Sequence, residues 1–216
     1  IGGNGFFDGG YRQLEKEQRY RFNFDTRYRF QKVRGLSAGI NGNYMNTNRG
    51  NFVLWQNADS VYYPVGGNLS NYHTKRTTLD PFINYFTPNA NKHSLKARFY
   101  KSTNEGDVNQ PNQASVSDVW YGEYQYQMLL KKGLTITNGI TGTYAEVHSD
   151  SLYGNHFSSN VGVFSQMDKK FDRLILSFGV RGEYFKVDTA ETKSEIVFGK
   201  DTSTLPVHPV VRGGIN

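Results

Sequence analysis

The chain has 216 residues, no cysteine, a formal net charge of +6 and only 37% hydrophobic residues, although 15% of its residues are aromatic. The lack of cysteine excludes a disulfide scaffold, and no apolar run approaches the roughly 18 residues that a membrane-spanning helix needs. The many aromatic residues argue against a disordered chain, and the enrichment in Tyr, Phe, Thr and Gly favours an all-β fold.

Residues 20–30 give the clearest signal of secondary structure. The even positions from Tyr20 to Phe30 are aromatic or Thr, whereas the odd positions are Arg, Asn or Asp. Because successive side chains of a strand point to opposite faces, one face of this predicted strand is apolar and the other is charged. A helix would mix the two sets on every side.

The same alternation recurs along the rest of the chain. Apolar residues tend to occupy every second position in a series of segments: residues 36–44, 79–85, 95–99, 120–128, 134–144, 161–167, 174–184 and 211–215. So many consecutive matches rarely arise by chance, and they predict about nine strands. The chain has no initiator Met and its last residues fall inside an alternating stretch, so we expect a part of a longer protein.

The predicted connections alternate between short and long. Short turns are expected at residues 31–35, 87–92, 131–133 and 168–173, and long polar loops at residues 45–78, 101–116, 146–157 and 186–208. This sorting is typical of an antiparallel transmembrane β-barrel with short periplasmic turns and long extracellular loops. A soluble β-sandwich has no reason to sort its connections in this way.

Aromatic residues of the apolar set lie near both ends of the predicted strands. Those near the long loops are Tyr20, Tyr44, Trp120, Tyr144 and Tyr184, and those near the short turns are Tyr28, Phe30, Tyr85 and Tyr126. Two aromatic girdles that flank an apolar band roughly 25 Å tall are typical of membrane-spanning barrels. The alternative is cross-strand aromatic packing in the core of a sandwich, but the girdles and the sorted connections together favour the barrel.

The opposite set of positions is polar and charged. The candidates for an inner, lumen-facing wall are Arg21, Asp25, Arg27, Arg29, Lys96, Arg98, Glu123, Gln125, Arg181 and Glu183. A small eight-stranded barrel fills its interior with side chains, so these charges favour a wide lumen that holds water or a plug. The alternative is a solvated face with mutual ion pairs, each of small energetic value.

Several segments, taken in order, resemble one family. They are GYRQLEKE at residues 10–17, DPFINYF at 80–86, HSLKARFY at 93–100, YGEYQYQ at 121–127, SLYG at 151–154, GVRGEYF at 179–185 and PVVRGGIN at 209–216. Together they resemble the barrel of TonB-dependent outer-membrane receptors, most of all the Bacteroidetes version, over nearly the whole chain. Gly182 departs from the pattern, because an aromatic residue is expected there, and this would thin the outer girdle.

The resemblance implies an architecture and an activity. Receptors of this family have a barrel of about 22 strands with an N-terminal plug inside it, and a TonB box on the plug pairs with TonB. They import iron–siderophore complexes, haem, cobalamin (a vitamin) or oligosaccharides (glycans) across the outer membrane of Gram-negative bacteria. Residues 1–216 would then form the middle of a single outer-membrane barrel domain in contact with lipid. The plug and the remaining strands would lie outside this chain, and the charged inner positions would face the plug.

The long loops carry the candidates for ligand binding. In the first loop these are Trp55, Tyr62, Tyr63 and His73, and in the third they are Asp150, Tyr153 and His156. Aromatic side chains among polar ones are typical of ligand sites, although residues 52–55 can also continue the preceding strand. His148, Asp150 and His156 have metal-ligating side chains, but five His scattered among loops favour coincidence. We therefore predict no metal site and no cofactor.

Other function classes fit the sequence less well. Nucleic-acid binding by stacking needs aromatic and basic residues on the same face, and here they fall on opposite faces, so no nucleic-acid partner is expected. Phosphate-binding Gly motifs are absent and no Ser nucleophile has a neighbouring base, so we do not expect an enzyme. The remaining alternatives are a structural or adhesive outer-membrane barrel without transport, and a barrel enzyme whose site assembles from distant loops.

Overall fold

The computed structural model describes residues 1–52, 54–66, 69–105, 114–149, 154–188 and 208–215. In this part of the chain, ten strands form one antiparallel sheet in which each strand pairs with its neighbours in sequence. They are β1 (Gly2–Asp8), β2 (Glu17–Arg29), β3 (Leu36–Phe52), β4 (Leu69–Phe86), β5 (Lys92–Glu105), β6 (Ser115–Leu130), β7 (Leu134–Ser149), β8 (Gly154–Lys170), β9 (Ile175–Val187) and β10 (His208–Ile215). Within the same ranges, no helix has the length and apolar character needed to cross a membrane.

The all-β prediction is confirmed, and the predicted segments correspond to β2–β10. The prediction of about nine strands misses β1, whose sequence GGNGFFD has three glycines and no alternation. Glycine is depleted in strands and weakens them, so the sequence of β1 carries no strand signal. Its conformation comes from pairing, because all seven of its residues lie opposite residues of β2.

The register fixes which side chains share a face of the sheet. Residues directly opposite each other on antiparallel strands point to the same side, as Lys96 and Glu123 do on β5 and β6. Followed from β2 to β9, the register places all ten predicted inner-wall residues on one side. We call this side the polar face. The other side, which carries Tyr20, Ile83, Leu95, Ile140 and Val180, is the apolar face.

The connections form two rims. The short-turn rim has residues 30–35, 87–91, 131–133 and 171–174, and the described residues of the connections at the long-loop rim are 9–16, 54–66, 114 and 188. The strands reach further into the long-loop rim than predicted, since six of them have 14 to 18 residues. The predicted long loop at residues 146–157 is therefore wrong in extent, because β7 and β8 pair as far as Ser149 and Gly154 and leave four residues between them.

Gly35 shows how the short turns are specified. Its backbone has φ +87°, and a Cβ there would lie 2.1 Å from the carbonyl oxygen of Phe86. Phe86 is the last residue of β4, which pairs with β3 directly after Gly35. The amide of Phe86 donates a hydrogen bond of 3.0 Å to the Gly35 carbonyl. A side chain is excluded both by the left-handed backbone and by the neighbouring strand. Glycine therefore allows the turn between β2 and β3 to lie against the end of β4.

The described residues form a sheet with almost no apolar core. Phe52 is the one large apolar side chain among them that is buried. The apolar face instead exposes its side chains: Leu95 is 47% exposed, Ile140 47%, Val163 56% and Phe178 51%. Contiguous apolar surfaces of this kind mark interaction with a partner or a membrane. We therefore expect a partner or a membrane, and not water, to cover this face.

Candidate functional site

On five strands, the apolar face changes from an aromatic residue to a polar or charged one. Toward the long-loop rim, Tyr44 is followed on this face by Asn46 on β3, Phe99 by Lys101 on β5, Trp120 by Asp118 on β6, Tyr144 by Glu146 on β7 and Tyr184 by Lys186 on β9. The four Tyr and Trp rings are exposed and Phe99 is half-buried, with its ring centroid 4.4 Å from that of Trp120. We call this line of residues the aromatic boundary.

A second aromatic group lies on the apolar face near the short-turn rim. His93 stacks on Tyr126 with ring centroids 4.5 Å apart and on Tyr85 at 6.0 Å. Its Nδ1 lies 2.8 Å from the Tyr124 hydroxyl. On β7, ten residues separate Tyr144 from Leu134, the first residue of the strand, and they span about 33 Å along it. The apolar face is thus an aromatic-edged band between the two rims.

On the polar face, three pairs of opposite charges lie on β4 to β9. Arg98 donates two hydrogen bonds to the Asp80 carboxylate, at 2.7 and 2.8 Å. Lys96 lies 3.4 Å from Glu123, and Arg181 lies 2.6 Å from Glu183. Half of the predicted inner-wall residues are therefore paired, as the ion-pair alternative required, and Gln125 lies beside them on the same face.

On β2, Glu17 and Arg19 form a further pair on the polar face, but four other charges of this strand differ. Arg21, Arg27, Arg29 and Asp25 are exposed, and in the described part of the chain none of them has an ion-pair partner. Arg21 contacts the sulfur of Met45 at 3.6 Å, and Arg27 donates a hydrogen bond to the Ser37 hydroxyl at 3.3 Å. These three cations against one carboxylate leave β2 able to receive an anionic surface.

At the long-loop rim, part of the connection between β3 and β4 folds as a small hairpin. The amide of Gln56 donates to the Tyr63 carbonyl at 2.9 Å, and the amide of Val65 donates to the Leu54 carbonyl at 3.1 Å. Trp55 and Pro64 form a β-bridge between these bonds. The hairpin thus carries Trp55, Tyr62 and Tyr63, three of the predicted ligand-binding residues.

The connection between β1 and β2 braces this hairpin. The amide of Gln13 donates to the Tyr62 carbonyl at 2.9 Å, and the Tyr11 ring meets the Tyr62 ring edge-on with centroids 5.2 Å apart. Their hydroxyls are 3.4 Å apart, and this hydrogen bond raises the pKa of Tyr62. Tyr11 is a site residue that the sequence reasoning missed, because it follows Gly9 and Gly10 in a segment without alternation.

Arg12 fixes the brace to the end of β3. Its guanidinium donates to both carboxylate oxygens of Glu15, at 2.7 and 2.9 Å, and to Asn51 Oδ1 at 3.1 Å. It also lies over the Phe52 ring, 4.4 Å from the centroid. The hydrogen bonds from Arg12, reinforced by its charge, hold the pKa of Glu15 below its usual value and raise that of Arg12 itself. We call Tyr11, Trp55, Tyr62 and Tyr63 the rim cluster.

The other predicted ligand-binding residues lie elsewhere. His73 is on the apolar face of β4, where Nδ1 lies 2.8 Å from Glu105 and Nε2 lies 2.6 Å from Asn46. His156 is on β8, with Nδ1 3.1 Å from Asp188. Asp150 and Tyr153 lie outside the described residues. Across the described ranges, no three His, Asp or Glu side chains come together in a group that could hold a metal ion.

Comparison with known protein families and with curated protein sequences finds no match to this chain. The features that bear on function are therefore the two faces of the sheet and the rim cluster.

Proposed function

We propose that this chain forms part of the wall of an outer-membrane β-barrel of the TonB-dependent receptor type, which imports a scarce, large nutrient into the periplasm. One observation carries the proposal: an exposed apolar face that ends at an aromatic boundary on strand after strand. Trp and Tyr prefer the membrane–water interface, and charges beyond them reach the headgroups. An aromatic boundary followed by charges therefore fits a lipid cover better than a second protein layer.

The slope of the aromatic boundary across the strands supports a tilted wall. On β2 the corresponding change is from Tyr20 to Gln18. Followed through the register, Tyr184 of β9 lies level with Thr26 of β2, six residues from Tyr20. Six residues span about 20 Å along a strand, and the seven steps from β2 to β9 span about 34 Å across the sheet, so the strands tilt by about 30°. Outer-membrane barrels tilt by about 35–45°.

The height of the apolar band fits the same arrangement. The roughly 33 Å between Tyr144 and Leu134 shortens to about 28 Å when the strand is tilted by about 30°. The apolar band of outer-membrane barrels is about 25 Å tall. In this arrangement the polar face lines a lumen, and β2 offers its three unpaired arginines to the plug that the sequence resemblance implies.

The resemblance supplies the transport part of the proposal. Energy would come from TonB through the plug, and the ligand would be an iron–siderophore complex, haem, cobalamin or an oligosaccharide. A structural or adhesive barrel shares the same wall but needs neither plug nor TonB. A barrel enzyme would need a base and a nucleophile on one rim.

The first test is the size of the native protein. An antibody raised against residues 1–216 is used to probe outer-membrane fractions with and without boiling. We expect a heat-modifiable band several times larger than 24.6 kDa, since a full receptor needs further strands and a plug. A band near 24.6 kDa would contradict the receptor proposal and leave a small barrel.

The second test separates transport from adhesion. Growth on iron–siderophore, haem, cobalamin and oligosaccharide sources is compared between wild-type cells, cells lacking this protein and cells lacking TonB. We expect the same nutrient to fail in both mutants. A nutrient defect that is absent in both, or loss of surface attachment alone, would favour the structural barrel.

A further inference from the structure

The four aromatic side chains of the rim cluster are exposed to solvent. Tyr11 is 81% exposed, Trp55 54%, Tyr63 49% and Tyr62 46%. Large aromatic side chains favour burial, so four of them left exposed in two adjoining connections offer ring faces on which a ligand can stack.

The rim cluster is held in place before any ligand arrives. The hairpin has its own backbone hydrogen bonds, and the Gln13 amide ties it to the connection between β1 and β2. Arg12 then ties that connection to Asn51 and Phe52 at the end of β3. A surface ordered in advance loses less conformational entropy on binding. These contacts therefore favour a role in binding a ligand.

The charges in these two segments argue for an uncharged ligand. Residues 9–15 contain Arg12 and Glu15, which pair with each other, and residues 54–66 contain the single charge of Asp59. The next cations are Lys16, and Arg49, which lies opposite Glu17. An anionic iron chelate would favour a cationic surface, and this one is neutral to slightly acidic.

The polar groups between the rings match a ligand rich in hydroxyls. Gln56, Asn57, Asp59 and Ser60 lie in the part of the hairpin between Trp55 and Tyr62. Amide and hydroxyl side chains both donate and accept hydrogen bonds. A pyranose ring has apolar C–H faces and a rim of hydroxyls, so it can pack on an aromatic ring while its edge meets these groups.

We propose that the rim cluster binds a neutral oligosaccharide, with sugar rings stacked on Tyr11, Trp55, Tyr62 and Tyr63. This inference rests on the proposed function, because it names the class of nutrient that a receptor of this kind would capture. The brace formed by Arg12 positions the rings and does not touch the sugar. The oligosaccharide meets the protein at the long-loop rim, above the aromatic boundary.

The test measures binding by the complete protein, purified in detergent, using isothermal titration calorimetry. The probes are maltohexaose, mannohexaose, xylohexaose and laminarihexaose, with ferric enterobactin and ferric citrate as contrasting anionic chelates. We expect at least one hexasaccharide to bind and both chelates to fail. Tyr11→Ala and Trp55→Ala should each weaken sugar binding about tenfold, the value of one aromatic stacking contact.

Two further variants make the result specific. Phe171→Ala removes an aromatic side chain that is 47% exposed on the opposite, short-turn rim, and it should leave binding unchanged. Tyr62→Phe keeps the ring and removes the hydroxyl, so it should retain most of the affinity. Failure of every hexasaccharide to bind would overturn the inference, as would equal affinity in the Tyr11, Trp55 and Phe171 variants.

Binding in detergent needs no TonB, so the two proposals can fail separately. Sugar binding without TonB-dependent uptake would contradict the transport proposal and leave the rim site standing. TonB-dependent uptake of an iron chelate, with weaker chelate binding in Trp55→Ala, would overturn the oligosaccharide and leave transport standing.

Discussion

Glu15 pairs with Arg12, which ties the connection between β1 and β2 to the end of β3. Because hydrogen bonds from Arg12 lower the pKa of Glu15 in the folded protein, the ion pair contributes its full local stability above the unfolded pKa of 4.5. That contribution is lost as pH falls through the lower, folded pKa. The brace of the rim cluster should therefore loosen in acid and be unaffected by small changes around neutral pH.

Hydrogen exchange of two amides measures this loosening. The Gln13 amide bonds to Tyr62 and the Gly50 amide bonds to Lys16, so both lose protection when the brace opens. We expect the protection factors, corrected for intrinsic exchange, to fall below about pH 4.5 in the wild-type protein. In Glu15→Gln they should already be low at neutral pH and independent of pH. An equal acid response in both proteins would show that another group controls the brace.

At the residue scale, the sequence predicts a candidate site residue when its neighbours in the chain are enough to mark it. Trp55, Tyr62 and Tyr63 could be chosen as ligand candidates because aromatic residues in a polar loop stand out. Tyr11 could not, because it joins them only through a contact between residues 51 positions apart. His73 was predicted to bind ligand, yet its Glu105 and Asn46 partners depend on the register of three strands.

At the scale of elements, an aromatic ring of one strand packs over a glycine of the neighbouring strand on the polar face. Gly139 of β7 lies opposite Phe164 of β8, and a Cβ on Gly139 would lie 2.3 Å from that ring. The ring occupies the space that a side chain would take. Such a pair fixes the register, because a slip by one residue would bring the ring against a residue with a side chain.

We expect Gly139→Val to destabilise the protein by about 1–3 kcal/mol through overpacking. Combining it with Phe164→Ala should recover part of that loss. Gly122→Val is the matched control, since nothing lies within 4 Å of a Cβ at Gly122. The measurement is the midpoint of urea unfolding in detergent. Equal midpoints for Gly139→Val and Gly122→Val would refute the packing argument.

Alternation predicts strands well where both faces have a defined environment. β2 to β9 each show an apolar and a polar set, and each was predicted with bounds shorter than those observed. Most of the missing residues lie beyond the aromatic boundary, where both faces are polar and the period of two disappears, as in residues 46–51 of β3. There the strand continues because its partner supplies backbone hydrogen bonds, which single-sequence patterns do not record.

At the scale of the whole molecule, the described sheet has two edges, β1 and β10. Unpaired backbone groups at an edge recruit other strands, and they are costly in lipid. We expect residues 1–216, produced alone and refolded in detergent, to elute as aggregates without protease protection, whereas the complete protein should elute as one protected species. A monodisperse, protease-resistant fragment of 24.6 kDa would contradict this expectation.

The cover of the apolar face can be tested by placing a charge at different depths. Ile140 lies between Tyr144 and Leu134 on the apolar face of β7, near the middle of the band, and His148 lies on the same face beyond Glu146. In lipid, an Arg costs about 2–4 kcal/mol at the midplane and about 0–1 kcal/mol near the interface. We therefore expect Ile140→Arg to lower the unfolding free energy of the complete protein in vesicles by about 2–4 kcal/mol, and His148→Arg to leave it nearly unchanged.

The same pair of variants separates a lipid cover from a protein cover. Lipid solvates a charge better as the bilayer thins, because the side chain then reaches the headgroups sooner. The cost of Ile140→Arg should consequently fall when the vesicles are made from short-chain lipids, whereas a second layer of protein over this face would give a cost independent of lipid length. Equal costs at positions 140 and 148 would contradict the band itself, and the sheet would then need another explanation for its aromatic boundary.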